Sequence, residues 1–457
     1  LILARLLAPD DFGVIAAASL AIGLADALFD ANVQVALIKN KGVRDEHYHT
    51  AWTVRMMQCS LSTLLLWVAA PYVADYFKDP RVTHVVQALS LLILMNGLGN
   101  IWIIEFQKNM QFNKDFRFLF SRRVVGSLAT VISAYLLQSY WAMVIGSLTG
   151  RAFGVASSYL MHAKRPRWCL EEFREIFVTS QWMLINSVIG YLTNNLHRIL
   201  TGRHFSAPVL GAYTLANEIS GLTSAELLGP LNRVLFPALA RLKDNVGELK
   251  RTFLLAQNVQ MLVVIPASVG MILVSRDLVL VLLGAKWEMA IPFIELTAWM
   301  GIFRSLISTS AVLNNVFGKL RQNVQASLLQ LALFVALFFT FSRFQDASEV
   351  IVFRIAALVL ASGFVLLQVT MNFHFLRMRE FFTGCVRPLL AAALMAGVIM
   401  VMNRYMAAGS MLSLLAKVAA GAVTYTGGIY LLWLAVGAPT GAEEFFHKKV
   451  KSLLKRG

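Results

Sequence analysis

An all-α protein that crosses a membrane many times is the fold class this sequence predicts, and three observations carry the prediction. Of 457 residues, 58% are hydrophobic and only 14% are charged, against about a quarter charged in an ordinary soluble domain. The charges gather in short clusters between apolar runs such as Ser60 to Ala74, Leu389 to Met402 and Val418 to Val436. Such runs approach the ~20 residues that a spanning helix needs. No polar stretch is long enough for a folded soluble domain, so function is expected to lie within the membrane part.

Fourteen apolar segments follow in order, near 1–8, 12–32, 52–74, 83–105, 117–138, 140–161, 176–199, 208–230, 252–275, 289–313, 323–342, 350–375, 385–405 and 411–436. The first is partial: the chain starts at Leu1, inside an apolar run and without Met, so the first helix reads as truncated. Trp52, Tyr72, Trp141 and Trp287 near segment ends read as an interfacial belt. Pro266 and Pro292 permit bends, which spanning helices tolerate.

Basic residues crowd alternate connections, as positive-inside topology requires. With the N-terminus cytoplasmic, the inner side carries Lys39, Lys41, Arg44 and Arg55, then Lys108, Lys114, Arg117, Arg122 and Arg123, then Lys164, Arg165, Arg167 and Arg174. Arg233, Arg241, Lys243, Lys250 and Arg251 follow, then Lys319 and Arg321, then Arg377, Arg379 and Arg387, and in the tail Lys448, Lys449, Lys451, Lys455 and Arg456. Both termini are therefore expected in the cytoplasm. The formal charge of +16 follows from this bias, and nucleic acid is not an expected partner because no soluble fold displays a basic stripe. Three scattered cysteines, Cys59, Cys169 and Cys385, suggest neither a disulfide framework nor a metal site. The tail from Glu443 to Gly457 has Phe446, Val450, Leu453 and Leu454 at helical spacing opposite its basic residues. It reads either as a basic amphipathic helix on anionic membrane lipids or as a solvated end.

The chain also contains weak internal matches in constant order. The run from Arg5 to Gly13 precedes an apolar helix and Val35 to Lys39; the run from Arg203 to Gly211 precedes another and Phe236 to Leu242. Tyr76 to Val82 with Phe106 to Met110 is echoed by Leu283 to Trp287 with Val316 to Leu320. Two parallel six-helix units explain this, giving bundles at 1–162 and 163–376, two additional helices at 377–437 and the tail at 438–457. Transporters so built place substrate between halves that rock.

These segments resemble the polysaccharide exporters and lipid-linked oligosaccharide flippases of the multidrug/oligosaccharidyl-lipid/polysaccharide (MOP) superfamily. The matching stretches are Ala4 to Gly13, Phe236 to Leu242 (FPALARL) with Lys243 to Asn245, and Leu282 to Pro292 (LLGAKWEMAIP). The likeness runs from Leu1 to about His374, with the colanic-acid- or succinoglycan-exporter branch most similar, and departs at the N-terminus. It implies a MOP-type fold in a bacterial inner membrane. It also implies a polyprenyl diphosphate bearing an oligosaccharide as cargo, taken by a cationic cavity, with polysaccharide polymerase or export machinery as partner. Lipid II and, through a multidrug extruder of the same fold, organic cations stay open as cargoes. A membrane enzyme is the rival from another class, and neither a large outer loop nor an acid–base cluster speaks for it. No phosphate-binding Gly-x-x-x-x-Gly-Lys-Ser/Thr loop is present.

Charged groups within spans are costly and mark functional candidates. Arg151, Arg304 and Arg354 are candidates for the diphosphate, whose oxygens suit the guanidinium fork; Arg151 and Arg354 equally fit helix-end residues that snorkel. Lys417, in the additional pair, reads as peripheral. Asn96, Asn195, Arg198 and Asn217 are candidates for head group or glycan, and also for helix linkage or helix ends. Asp26 and Asp30, four apart, and Glu218 and Glu226 are candidates for a coupling ion, H⁺ or Na⁺, or partners for the arginines. No other cofactor, and no metal, is expected.

Overall fold

The computed structural model describes residues 2–29 and 44–437, with isolated positions 37 and 444. Among the described residues every regular element is a helix. Two compact units divide the chain between Thr214 and Leu215.

Unit 1 contains α1 (Ile2–Leu6), α2 (Pro9–Phe29), α3 (Asp45–Phe77), α4 (Arg81–Leu98), a 3₁₀ turn at Ile101–Ile103, α5 (Ile104–Lys108), α6 (Phe112–Leu137), α7 (Trp141–Met161), α8 (Phe173–His204) and the start of α9 (Ala207–Arg241). Helix α2 lies against α3, α4 and α8. It can do so closely because its buried face is largely small: Gly13, Ala16, Ala17, Ala18, Ala25 and Ala27. Close backbone approach of this kind is how helices pack in lipid, where burial of apolar surface gives no drive. At its start, α2 touches the first turn of α9 reciprocally. A Cβ on Gly13 would lie 1.9 Å from the Ala207 carbonyl oxygen, and one on Gly211 2.0 Å from that of Pro9. Pro9–Gly13 and Ala207–Gly211 thus use the same four-residue spacing against each other.

The α3–α4 connection is held by charge. Lys78 ends α3 in the left-handed region (φ 57°), and Asp79 then accepts from the Arg81 backbone N–H and Nε, each at 3.0 Å. Arg81 also donates from Nη2 to Asp10 Oδ1 at 3.0 Å, tying the starts of α2 and α4 together. The Arg81 guanidinium holds the Asp79 carboxyl below its ordinary range, so its contribution is present above the unfolded-state value and is lost as pH falls. Asp79→Asn is expected to cost about 1 kcal/mol, read as a lower thermal midpoint in detergent at pH 7, with the gap to the parent closing in acid.

Unit 2 contains the rest of α9, α10 (Val246–Leu278), a π turn at Val279–Leu283, a 3₁₀ turn at Ala285–Ala290, α11 (Ile291–Ala298), α12 (Met300–Val316), α13 (Leu320–Phe341), α14 (Ala347–Asn372), α15 (Met378–Tyr405) and α16 (Met411–Ala435). Helix α10 contacts α11, α12, α15 and α16, while α13 pairs with α14. The hairpin α15–α16 is fastened to α10 by a buried ion pair. Lys417 Nζ donates to Asp277 Oδ2 at 2.6 Å, their side chains 1% and 3% exposed. Asp277 Oδ1 also accepts from the Gly409 N–H at 3.2 Å and the Ser413 hydroxyl at 3.4 Å.

Nine of the described helical stretches are long and apolar enough to cross a membrane. Their surfaces invert the soluble pattern. Leu64, Val68, Leu128, Ile132, Leu136 and Leu431 are exposed, while Thr50, Gln257, Ser305 and Thr309 are buried. Exposed apolar faces of this extent require lipid as solvent, and the chain is a multi-pass membrane protein. Two belt residues are corrected: Trp287 is 0% exposed, and Trp52 is buried with its ring edge against Trp168. Both are claimed by packing. Pro292 bends nothing, because it stands in the first turn of α11, where its missing N–H has no helical partner to lose.

Candidate functional site

Three helices of unit 1 bring arginines to one place. Arg55 comes from α3, Arg122 from α6 and Arg151 from the middle of α7, and all three line a cavity of ≈ 250 Å³. Its remaining wall includes Asn96 at the end of α4, Asn100, Gln107, Asp115, Phe118 and Ser158. Arg151 Nη1 donates to Asn96 Oδ1. An open groove of ≈ 610 Å³ continues from the cavity, sharing Leu119, Arg122 and Arg151 and adding Arg123, Ser127, Thr130 and Ser147. On the other side, Arg55 and Asn96 also border a crevice of ≈ 30 Å³ with Asp26, about the share of one water molecule. Two carboxylates line the same spaces as the three arginines, Asp26 in the crevice and Asp115 in the cavity wall.

Local sequence explains how α6 and α7 deliver these cations. Gly146, Gly150 and Gly154 recur every fourth residue and form one stripe on α7. A Cβ on Gly146 would lie 1.8 Å from Thr130 Oγ1, on Gly150 2.9 Å from Gly126 Cα, and on Gly154 2.7 Å from Arg122 Cδ. The helices therefore meet backbone to backbone, and the Arg122 stem crosses α7 over Gly154. That seats its head beside Arg151, three residues from Gly154. Gly150→Leu is expected to cost about 1–3 kcal/mol through overpacking, seen as a lower thermal midpoint, whereas the exposed neighbour Ser147→Ala leaves the midpoint unchanged.

The end of α4 shapes the wall. Gly99 leaves the helical region, and Asn100 then accepts the Trp102 N–H at 3.2 Å to start the 3₁₀ turn. The Asn100 backbone N–H also donates to Ser158 Oγ at 3.0 Å, and its Nδ2 donates to the Lys164 carbonyl at 2.9 Å. The segment beyond α7 is thereby pinned to this wall. Lys164 lies over the Trp102 ring at 4.2 Å, and His162 meets Glu105 at 3.1 Å.

Of the residues singled out from sequence, Arg151, Asn96 and Asp26 fall in this connected set of cavities. Asn195 and Arg198 do not line it. On α8, Arg198 donates to Asn195, and Asn195 Nδ2 donates to the Tyr191 carbonyl at 3.0 Å. In unit 2, Arg354 on α14 is 4% exposed and donates from Nη1 to Asn217 Oδ1 at 2.8 Å. Each unit thus has a helical arginine bound to an asparagine of another helix. Arg304 is half-buried on α12, and Glu218 is exposed on α9. Asp30, the Glu226 side chain and all of the tail but position 444 lie outside the described residues. Arg55 and Arg122, assigned from sequence to inner connections, line the cavity instead. The missed signal was helical phase: Asp115, Arg122 and the intervening Phe118 share a face at i, i+3 and i+7.

Comparison with known proteins places this architecture. A family model described as polysaccharide biosynthesis protein matches residues 2–292. The chain belongs to that family. Among curated members, the Lipopolysaccharide biosynthesis protein WzxC of Escherichia coli (strain K12) is 25% identical over 313 residues, covering 67% of this chain and 63% of that protein. The Teichuronic acid biosynthesis protein TuaB of Bacillus subtilis (strain 168) is 24% identical over 62% of this chain and 60% of its own length. The Succinoglycan biosynthesis transport protein ExoT of Rhizobium meliloti (strain 1021) is 22% identical over 65% and 60%. The chain therefore spans about 60% of the length of each of these curated relatives. Among solved structures, the Lipid II flippase MurJ in an inward closed conformation superposes with TM-score 0.77 over 95% of both chains at 13% identity. An inward-facing multidrug resistance MATE family transporter of the MOP superfamily gives 0.57 over 81% of this chain and 93% of its own, at 11% identity. The fold of this family member is thus the MOP type predicted from its sequence.

Proposed function

We propose that this protein moves a polyprenyl-diphosphate-linked oligosaccharide from the inner to the outer leaflet of a bacterial cytoplasmic membrane, by alternating access. The convergence of Arg55, Arg122 and Arg151 on one cavity of a multi-pass membrane protein carries the reading. A diphosphate offers several anionic oxygens, and guanidinium groups meet them with paired, charge-assisted hydrogen bonds. Three cations against two carboxylates suit that cargo better than the organic cations of a multidrug extruder. The printed names of the relatives, which speak of lipopolysaccharide, teichuronic acid and succinoglycan, agree with a glycan cargo.

The finer parts of the proposal have separate support. Two six-helix halves with an additional helix pair accord with the reciprocal Gly13 and Gly211 contacts, and cytoplasmic termini with the alternating basic connections. Asp26 is the coupling-ion candidate best placed, in a crevice that fits one small ion next to Arg55. The role is transport, with the polymerase or export machinery consuming the product, and no chemical step is assigned to the chain.

Reconstitution tests it. Liposomes with the purified protein should translocate a fluorescent prenyl-diphospho-oligosaccharide and leave ethidium untransported. Ethidium transport without glycolipid translocation would reverse the assignment.

A further inference from the structure

The unit 1 cavity is lined by two kinds of group, and a diphosphate uses only the cationic ones. In the same wall Gln107 Nε2 donates to Asp115 Oδ1 at 3.2 Å, and the pair lines the cavity with Phe118. Asp115, Phe118 and Arg122 stand at i, i+3 and i+7 on α6, so carboxylate, aromatic ring and guanidinium follow one another along about 10 Å of one helix face. Such an array matches a pyranose joined to phosphate. The carboxylate–amide pair accepts and donates to neighbouring ring hydroxyls, the phenyl ring covers the sugar's C–H face, and Arg122 with Arg151 takes the phosphate.

Size limits the ligand. A cavity of ≈ 250 Å³ falls below the ~300–1,000 Å³ usual for drug-sized ligands. It therefore has room for a head group and not for a whole repeat unit, and further sugars would leave through the ≈ 610 Å³ groove that begins at Arg122 and Arg151.

We infer that this cavity is a glycosyl-phosphate subsite, in which Asp115, Gln107 and Phe118 read the single sugar bonded directly to phosphate. The inference rests on the proposed function and adds to it where specificity resides. Its competitor is a purely structural Asp115, since an acid in the first turn of α6 also favours the helix dipole.

Binding to the full chain in detergent separates these. The probes are geranyl diphosphate, geranyl diphosphate bearing one hexose (glucose or galactose), and free hexose 1-phosphate. One hexosyl probe should bind about tenfold tighter than bare geranyl diphosphate, as one or two added hydrogen bonds to a charged group allow. Asp115→Asn and Phe118→Ala should abolish that ratio while bare geranyl diphosphate still binds, in Asp115→Asn at least as tightly as before because a like charge is removed. Gln107→Ala, at an exposed position, serves as the variant least able to disturb folding, and should reduce the ratio too. Equal binding of bare and hexosyl probes, unchanged in these variants, overturns the sugar subsite but leaves the diphosphate reading standing. Failure of every prenylated probe to bind overturns both. Competition by hexose 1-phosphate equal to that of the prenylated probe would assign the site to a soluble sugar phosphate and overturn the lipid-linked form.

Discussion

Arg151→Ala is expected to lower glycolipid translocation in proteoliposomes about 10- to 100-fold, the cost of losing one charge-assisted partner. Arg151 belongs both to the enclosed cavity and to the open groove, and it binds Asn96 of α4. Its removal therefore takes a cation from the site and a link between α4 and α7. Arg151→Lys separates the two effects. It keeps the charge but loses the planar fork, so an intermediate rate is expected. Because Arg122 lines the same two spaces, the double replacement with Arg122→Ala should be less than additive, as for residues sharing one ligand. A normally inserted Arg151→Ala protein that translocates at the parent rate would remove Arg151 from the site.

Lys417→Ala should produce the largest stability loss, about 3–5 kcal/mol, because it strands a buried carboxylate. The Asp277 carboxylate then retains only the Gly409 N–H and the Ser413 hydroxyl, and the α15–α16 hairpin loses a fastening to α10. The compensated double variant Lys417→Met with Asp277→Asn should recover most of that loss, since neutral partners of similar shape need no paired charge. Thermal unfolding in detergent measures both. A Lys417→Ala protein with the parent's midpoint would mean that the pair contributes little.

Hydropathy located the helices well but measured their lengths poorly, and Asp115 of the cavity wall lies in the difference. The apolar segments at 52–74 and 117–138 correspond to helices that begin at Asp45 and Phe112. Apolar runs mark where the chain meets hydrocarbon, whereas a helix continues through charged turns that pack on protein. Arg55 and Arg122 stand inside those segments, close to their starts, where loop-charge counting assigns them to the adjoining connections. Arg151 was visible because it interrupts an apolar run, and Asn96 because it sits in one. The seating of Arg122 over Gly154 could be anticipated only from glycines at four-residue spacing, a packing signal that a search for polar residues passes over. Asp277 was hidden for a different reason. It ends α10 beside Arg276 and looks like a solvated terminus, and its partner lies 140 residues away. The helix near 289–313 also concealed its interruption at Trp299 between α11 and α12, since neither Pro nor Gly marks the break.

The central claim is that this chain carries lipid-linked oligosaccharide across the membrane, and the sidedness of that lipid in cells tests it most directly. In a strain lacking the gene, repeat units should accumulate on the inner leaflet of the cytoplasmic membrane and surface polymer should be lost. Both should be restored by the parent gene and not by its Arg151→Ala form. An unchanged lipid-linked pool and normal surface polymer, with new sensitivity to cationic drugs, would contradict the account and identify the cargo as an organic cation.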